Sequence, residues 1–185
     1  MGNEPRTGPE REGEAVSPTL SEAASPRSPR APRDRPVRVL VAEDHPVYRD
    51  GLVRAISAAA DLDLLAETKS GTEALSLIER LDPDVALLDV RMPGIDGIDL
   101  CARLAAHHPP LHTRVVLLSA YLDPALVSRA VRAGAFGYLG KDASREEICE
   151  ALVAVGRGHA TFSSQTIPGV VDGPERIYQG EHAGD

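Results

Sequence analysis

Between Val37 and Gly156, short apolar runs alternate with longer segments of helical spacing. That alternation is the pattern of a parallel sheet whose strands are joined by crossover helices. Strands are predicted near 37–42, 62–66, 84–88, 114–118 and 137–139, and helices near 46–59, 71–81, 97–106, 124–133 and 144–156. Pro46 and Pro124 suit the first turn of a helix, Gly134 and Gly156 suit helix ends, and Ser144 with Glu147 has capping-box spacing. The three middle strands are apolar without alternation, as expected when helices cover both faces. The fold class is therefore α/β, a doubly wound five-stranded parallel sheet in three layers.

Four of the five runs end in a polar residue, two of them in carboxylates, one in a hydroxyl and one in an amine. The first enters Glu43-Asp44, the third stops at Asp89, the fourth at Ser119 and the fifth at Lys141. Sequence alone does not select a strand order. Of the two common ones, the order 2-1-3-4-5 sets the ends of strands 1 and 3 side by side, where ligands bind in open α/β sheets. In that order Glu43, Asp44 and Asp89 meet, and Ser119 and Lys141 follow outward.

The first loop decides between phosphate chemistries. A nucleotide fold places a Gly-rich turn there, so that backbone N–H groups face the phosphate. This chain has Glu43-Asp44-His45-Pro46 instead, which repels a bare phosphate and removes one donor. A hard divalent cation such as Mg2+ reverses the sign, because it takes carboxylate, phosphate and water oxygens. Asp89 is then the natural nucleophile, since a carboxylate can accept a phosphoryl group to form an acyl phosphate. Lys141 supplies positive charge and Ser119 a hydroxyl. The loop Arg91-Met92-Pro93-Gly94-Ile95-Asp96-Gly97 is tight enough to turn the Arg91 carbonyl inward as a further metal ligand.

Charge and composition narrow the partners. The net charge is −8, and residues 36–158 carry 18 acidic against 13 basic side chains. Nucleic-acid binding depends on neutralising phosphates with Lys and Arg, so no DNA-binding face is expected here. Residues 1–36, with seven prolines and few large apolar side chains, read as a disordered Pro/Ser/Arg/Glu-rich tail, and 159–185 as a mostly disordered extension. Cys101 and Cys149 read as small apolar packing residues. No signal-peptide core or membrane-length apolar run is present, and a cytoplasmic location with no membrane contact is expected. The histidines at 107, 108 and 112 lack the regular spacing of a zinc site.

Residues 37–158 resemble a response-regulator receiver domain, the phosphoacceptor half of bacterial two-component signalling. The marks are Glu43-Asp44, the run Leu88-Asp89-Val90-Arg91-Met92-Pro93-Gly94-Ile95-Asp96-Gly97, Ser119-Ala120 and Tyr138-Leu139-Gly140-Lys141. The resemblance implies a flavodoxin-like fold and Mg2+ held by Asp44, Asp89 and the Arg91 carbonyl, with Glu43 acting through water. It also implies a sensor histidine kinase as partner, whose phosphohistidine donates to Asp89, with small acyl phosphates as substitutes. Ser119 and Tyr138 are implied as switch residues that bias the surface of helix 4, strand 5 and helix 5.

Glu43-Asp44-His45-Pro46 and the segment 137–143 look most like the NarL/FixJ (LuxR-type) branch, whose members continue into a helix-turn-helix domain. No such domain is expected within these residues. A fragment, a truncated relative and a single-domain regulator are each compatible with that. A homodimer formed on phosphorylation is expected. The chain is expected not to be an enzyme beyond its own phosphorylation and slow dephosphorylation. Two alternatives stand beside this reading. One is an unphosphorylated pseudo-receiver acting as an interaction module. The other is an aspartyl-phosphate phosphohydrolase, disfavoured because Arg91 stands where such enzymes carry a second acid.

Overall fold

A computed structural model describes residues 35–162. The tails expected over 1–36 and 159–185 fall mainly outside that range. The described residues form one sheet of six parallel strands in the order β2-β1-β3-β4-β5-β6. The strands are β1 (Val37–Ala42), β2 (Leu62–Thr68), β3 (Val85–Asp89), β4 (Arg114–Ser119), β5 (Gly137–Gly140) and β6 (Thr161–Phe162). The helices are α1 (Pro46–Ala58), α2 (Gly71–Leu81), α3 (Gly97–Ala105), α4 (Pro124–Arg132) and α5 (Arg145–Gly156). The 2-1-3-4-5 order is thus observed, with one short strand added beyond β5.

Strand alternation sorts the core into two layers. Leu40, Ala86, Leu88, Leu117 and Tyr138 pack with Ala74 and Ile78 of α2, Leu100 of α3 and Val127 of α4. Val39, Val41, Leu87, Val116, Leu118 and Leu139 pack with Leu52 and Ile56 of α1 and Ile148 and Leu152 of α5. Successive strand residues face opposite sides, so both faces are apolar and both need helices.

Local chemistry sets the helix starts. Asp96 accepts from the Asp99 N–H at 2.8 Å, Asp123 from the Ala125 N–H at 2.8 Å, and Pro124 opens α4. The Ser144–Glu147 capping box is present, with bonds of 3.1 and 2.7 Å. Gly134 follows α4 at φ 93°, as a left-handed terminator should. Gly156 ends α5 for a different reason. A Cβ there would lie 2.3 Å from Cγ1 of Val37, so the helix needs a bare backbone to close on β1.

The register brings the carboxyl ends of the strands level. Ala42 lies beside Leu88, Asp89 beside Leu118, and Ser119 beside Gly140. The residues that follow β1 and β5, and those that end β3 and β4, therefore collect at one edge.

Candidate functional site

Glu43 leaves β1 fully buried, which a carboxylate tolerates only with charged or hydrogen-bonding partners. Its Oε1 accepts from the His45 N–H at 3.1 Å and from Lys141 Nζ at 2.9 Å. Its Oε2 lies 2.8 Å from the same ammonium as an ion contact but has no hydrogen-bond partner. Asp44 is half-buried, and its Oδ1 is likewise enclosed without a hydrogen bond, 2.9 Å from His45 Nδ1.

Asp89 closes β3 and is 4% exposed. Its Oδ2 accepts from Lys141 Nζ at 2.9 Å, and its Oδ1 from the Arg91 N–H at 3.2 Å. Gly97, the first residue of α3, lies hard against this turn, because a Cβ there would sit 2.3 Å from the Asp89 carbonyl oxygen. Lys141 follows β5, and its N–H donates to the Ser119 carbonyl at 2.7 Å. One ammonium thus spans the ends of β1 and β3.

The electrostatics follow from this crowding. Burial raises the Asp89 pKa above the usual 3.8, the Glu43 charge adds to it, and the Lys141 bond opposes both. Burial works against the Lys141 charge, yet the bonds to Glu43 and Asp89 outweigh it and its pKa rises above 10.5. One ammonium thus supports the Asp89 charge against burial and the Glu43 charge, in a cluster short of positive charge.

Oxygens of Glu43, Asp44 and Asp89 and a ring nitrogen of His45 lie within 4.8 Å of one another. The two enclosed carboxylate oxygens without hydrogen bonds, Glu43 Oε2 and Asp44 Oδ1, are the atoms a divalent cation would satisfy. The oxygen-rich donor set fits a hard ion, so the acidic cluster could bind a metal.

The hydroxyl of Ser119, 4% exposed, accepts from the Tyr121 N–H at 3.1 Å. Tyr138 is fully buried in the α2–α3–α4 layer, and its Oη donates to the Tyr121 carbonyl at 3.2 Å. Burial raises the Tyr138 pKa, with the Ser119 hydroxyl acting the other way. The N–H and carbonyl of one residue thus tie down both expected switch side chains, a link that sequence reading did not foresee. Nor is Tyr138 on an edge strand, since it sits level with Phe162 of β6.

Glu43, Asp44, Asp89 and Lys141 therefore converge, with Ser119 on the adjoining strand end and Tyr138 inside the fold behind it. His107 and His112 are placed elsewhere. His107 Nδ1 lies 2.8 Å from the Pro109 carbonyl, and His112 Nδ1 lies 2.9 Å from Asp82 Oδ2. Among the described residues, no helix is long and apolar enough to cross a membrane. Sequence reasoning missed Tyr48 and Arg49 on the first turn of α1. Tyr48 Oη donates to the Lys141 carbonyl at 3.1 Å, and Arg49 donates to the Glu43 carbonyl at 2.9 Å. The Tyr48 bond spans 93 positions and no local spacing announces it, whereas the Arg49 bond closes the β1–α1 turn only six residues away.

Comparison with known proteins bears on the family. Residues 39–153 match the family model for the response regulator receiver domain. A NarL transcriptional regulatory protein of Mycobacterium tuberculosis is 41% identical over 139 residues, covering 75% of this chain and 63% of the relative. The nitrate/nitrite response regulator protein NarL of Escherichia coli is 35% identical, covering 72% and 61%. The solved receiver domain of the Mycobacterium tuberculosis NarL superposes with a TM-score of 0.65 at 44% identity, covering 68% of this chain and 99% of that one. A LuxR-family DNA-binding response regulator from Staphylococcus aureus superposes at 0.61 with 31% identity, covering 65% and 98%. This chain spans less than two thirds of the length of the two curated NarL relatives.

Proposed function

The chain belongs to the response regulator receiver family, in its NarL/LuxR group, and we propose that Asp89 is its phosphoacceptor. It is a signalling protein rather than a catalytic enzyme, and the family implies a cognate histidine kinase. The observation that carries the proposal is the Lys141 ammonium, 2.9 Å from Asp89 Oδ2 at the carboxyl edge of the sheet.

An Asp89 carboxylate oxygen attacks the phosphorus of a phosphohistidine on the kinase. The new P–O bond forms as the P–N bond breaks, and the electron pair leaves with the imidazole. The product is an aspartyl phosphate. Phosphoryl transfer depends mostly on alignment and on stabilising charge at the equatorial oxygens. Lys141, already beside the nucleophile, meets that charge, and the Ser119 hydroxyl adds one hydrogen bond once it turns from Tyr121. Asp44, Asp89 and the Arg91 carbonyl would hold Mg2+, with Glu43 acting through water. When bound, the ion supplies further positive charge to the transferring group.

Release of Ser119 from the Tyr121 N–H alters the segment to which Tyr138 is also bonded. The added charge, roughly −1.5 to −2 at neutral pH, is large enough to bias a poised element. The α4–β5–α5 surface is the proposed output, with pairing of two copies in the phosphorylated state and control of transcription in full-length relatives. The protein acts in the cytoplasm on this reading.

The test is incubation with Mg2+ and acetyl phosphate, followed by intact-mass analysis. One added phosphoryl group is expected, and none in Asp89→Asn. Wild-type protein that gains no mass, or Asp89→Asn that gains the same mass, refutes the assignment and leaves an unphosphorylated interaction module.

A further inference from the structure

Tyr48 touches both ends of Lys141. Its hydroxyl donates to the Lys141 carbonyl at 3.1 Å, and the ammonium lies 5.1 Å from the centre of its ring. The guanidinium carbon of Arg145 lies 4.0 Å from the same centre. Both cations are within the roughly 6 Å range over which a ring face attracts them.

A lysine ammonium rides on a flexible four-carbon stem, and holding it in one place costs rotamer entropy. Lys141 bonds Glu43 and Asp89 at its tip, and those bonds reach only the ammonium, not the stem. A ring that anchors the backbone carbonyl and also faces the ammonium supplies that restraint. We propose that Tyr48 is a positioning residue, which with Arg145 behind it holds the Lys141 ammonium over Asp89 before a phosphoryl group arrives. The inference rests on Asp89 being the phosphoacceptor. Tyr48 touches no reacting atom; it acts through Lys141.

The test uses the 185-residue chain at saturating Mg2+, titrated with beryllofluoride by calorimetry, with Mg2+ affinity measured separately. Tyr48→Leu loses the ring and the hydroxyl and is expected to bind beryllofluoride about tenfold more weakly. Tyr48→Phe keeps the ring and is expected to lose only about threefold. Mg2+ affinity does not fall by more than about twofold in either, because Tyr48 bonds none of the carboxylates. Tyr48→Leu that matches wild type overturns the assignment of Tyr48 alone. Mg2+ affinity that falls in step with beryllofluoride overturns it too, since Tyr48 would then merely support α1 and the acid pair. If Tyr48→Leu does not fold, Tyr48→Phe decides, and wild-type affinity there overturns the proposal. Wild-type protein that binds no beryllofluoride sinks the phosphoacceptor reading, and this one with it.

Discussion

Lys141→Met is the most informative single substitution, because one ammonium offsets two carboxylates that the fold has taken from water. Glu43 is 0% and Asp89 4% exposed, and both lie within 2.9 Å of Lys141 Nζ. Deleting one partner of a buried ion pair typically costs about 3–5 kcal/mol, because the remaining charge is left uncompensated. Asp44, with 31% of its side chain exposed, opens one side of the cluster to solvent, which places the cost near the lower end. About 3 kcal/mol at about 4 °C per kcal/mol is a melting temperature lowered by about 12 °C at neutral pH without metal. Two treatments should restore it. Mg2+ at a hundred times the variant's dissociation constant adds about 2.7 kcal/mol, and wild type should gain less at that same concentration because its ammonium competes for the oxygens. Acid should also help. The Asp89 pKa is raised in the fold, so its ionised form is the destabilising one, and protonation relieves it as pH falls through that raised value. The Lys141 pKa is raised above 10.5, so its contribution is complete at neutral pH and fades only as pH climbs through that elevated value. Thermal denaturation with and without Mg2+ across pH measures all of this. A variant melting within about 3 °C of wild type, or equal gains from Mg2+ in both proteins, refutes the reasoning.

Asp89→Asn removes the strained charge while keeping the shape. It should melt higher than wild type at neutral pH, and the difference should shrink as pH falls through the raised Asp89 pKa, followed by circular dichroism. Gly97→Ala places a methyl 2.3 Å from the Asp89 carbonyl oxygen; it should cost about 1–3 kcal/mol in urea unfolding and weaken beryllofluoride binding. The Cys101 thiol is buried and its pKa is pushed up to about 12, so iodoacetamide should label it only after denaturation, read by peptide mapping.

What the sequence disclosed, and what it withheld, divides along the range of the interactions. The strands were legible because each run ends where a polar residue interrupts it, and the same interruptions supply Glu43, Asp44, Asp89, Ser119 and Lys141. Strand β2 runs to Thr68 rather than 66 because its pairing with β1 slips between Val39 and Leu40, which carries Ala66, Glu67 and Thr68 alongside Leu40, Val41 and Ala42. Strand β6 could not be read from two residues. It exists because the Thr161 N–H reaches the Phe136 carbonyl at 2.9 Å, a bond made only after α5 has folded back. Convergence of the acids on Lys141 could be anticipated from topology, since parallel strands put their carboxyl ends together whatever the side chains do. The Tyr48–Lys141–Arg145 stack could not, because it joins α1 to residues flanking the last long crossover, 93 positions away for the hydrogen bond. A tyrosine on a first helical turn has no local reason to be more than packing. Only the closeness of α1 to α5, forced by the apolar face they share over Val39, Val41 and Leu87, brings that ring to the lysine. The same burial that makes Asp89 hard to keep ionised also decides which neighbours can hold its counter-charge in place.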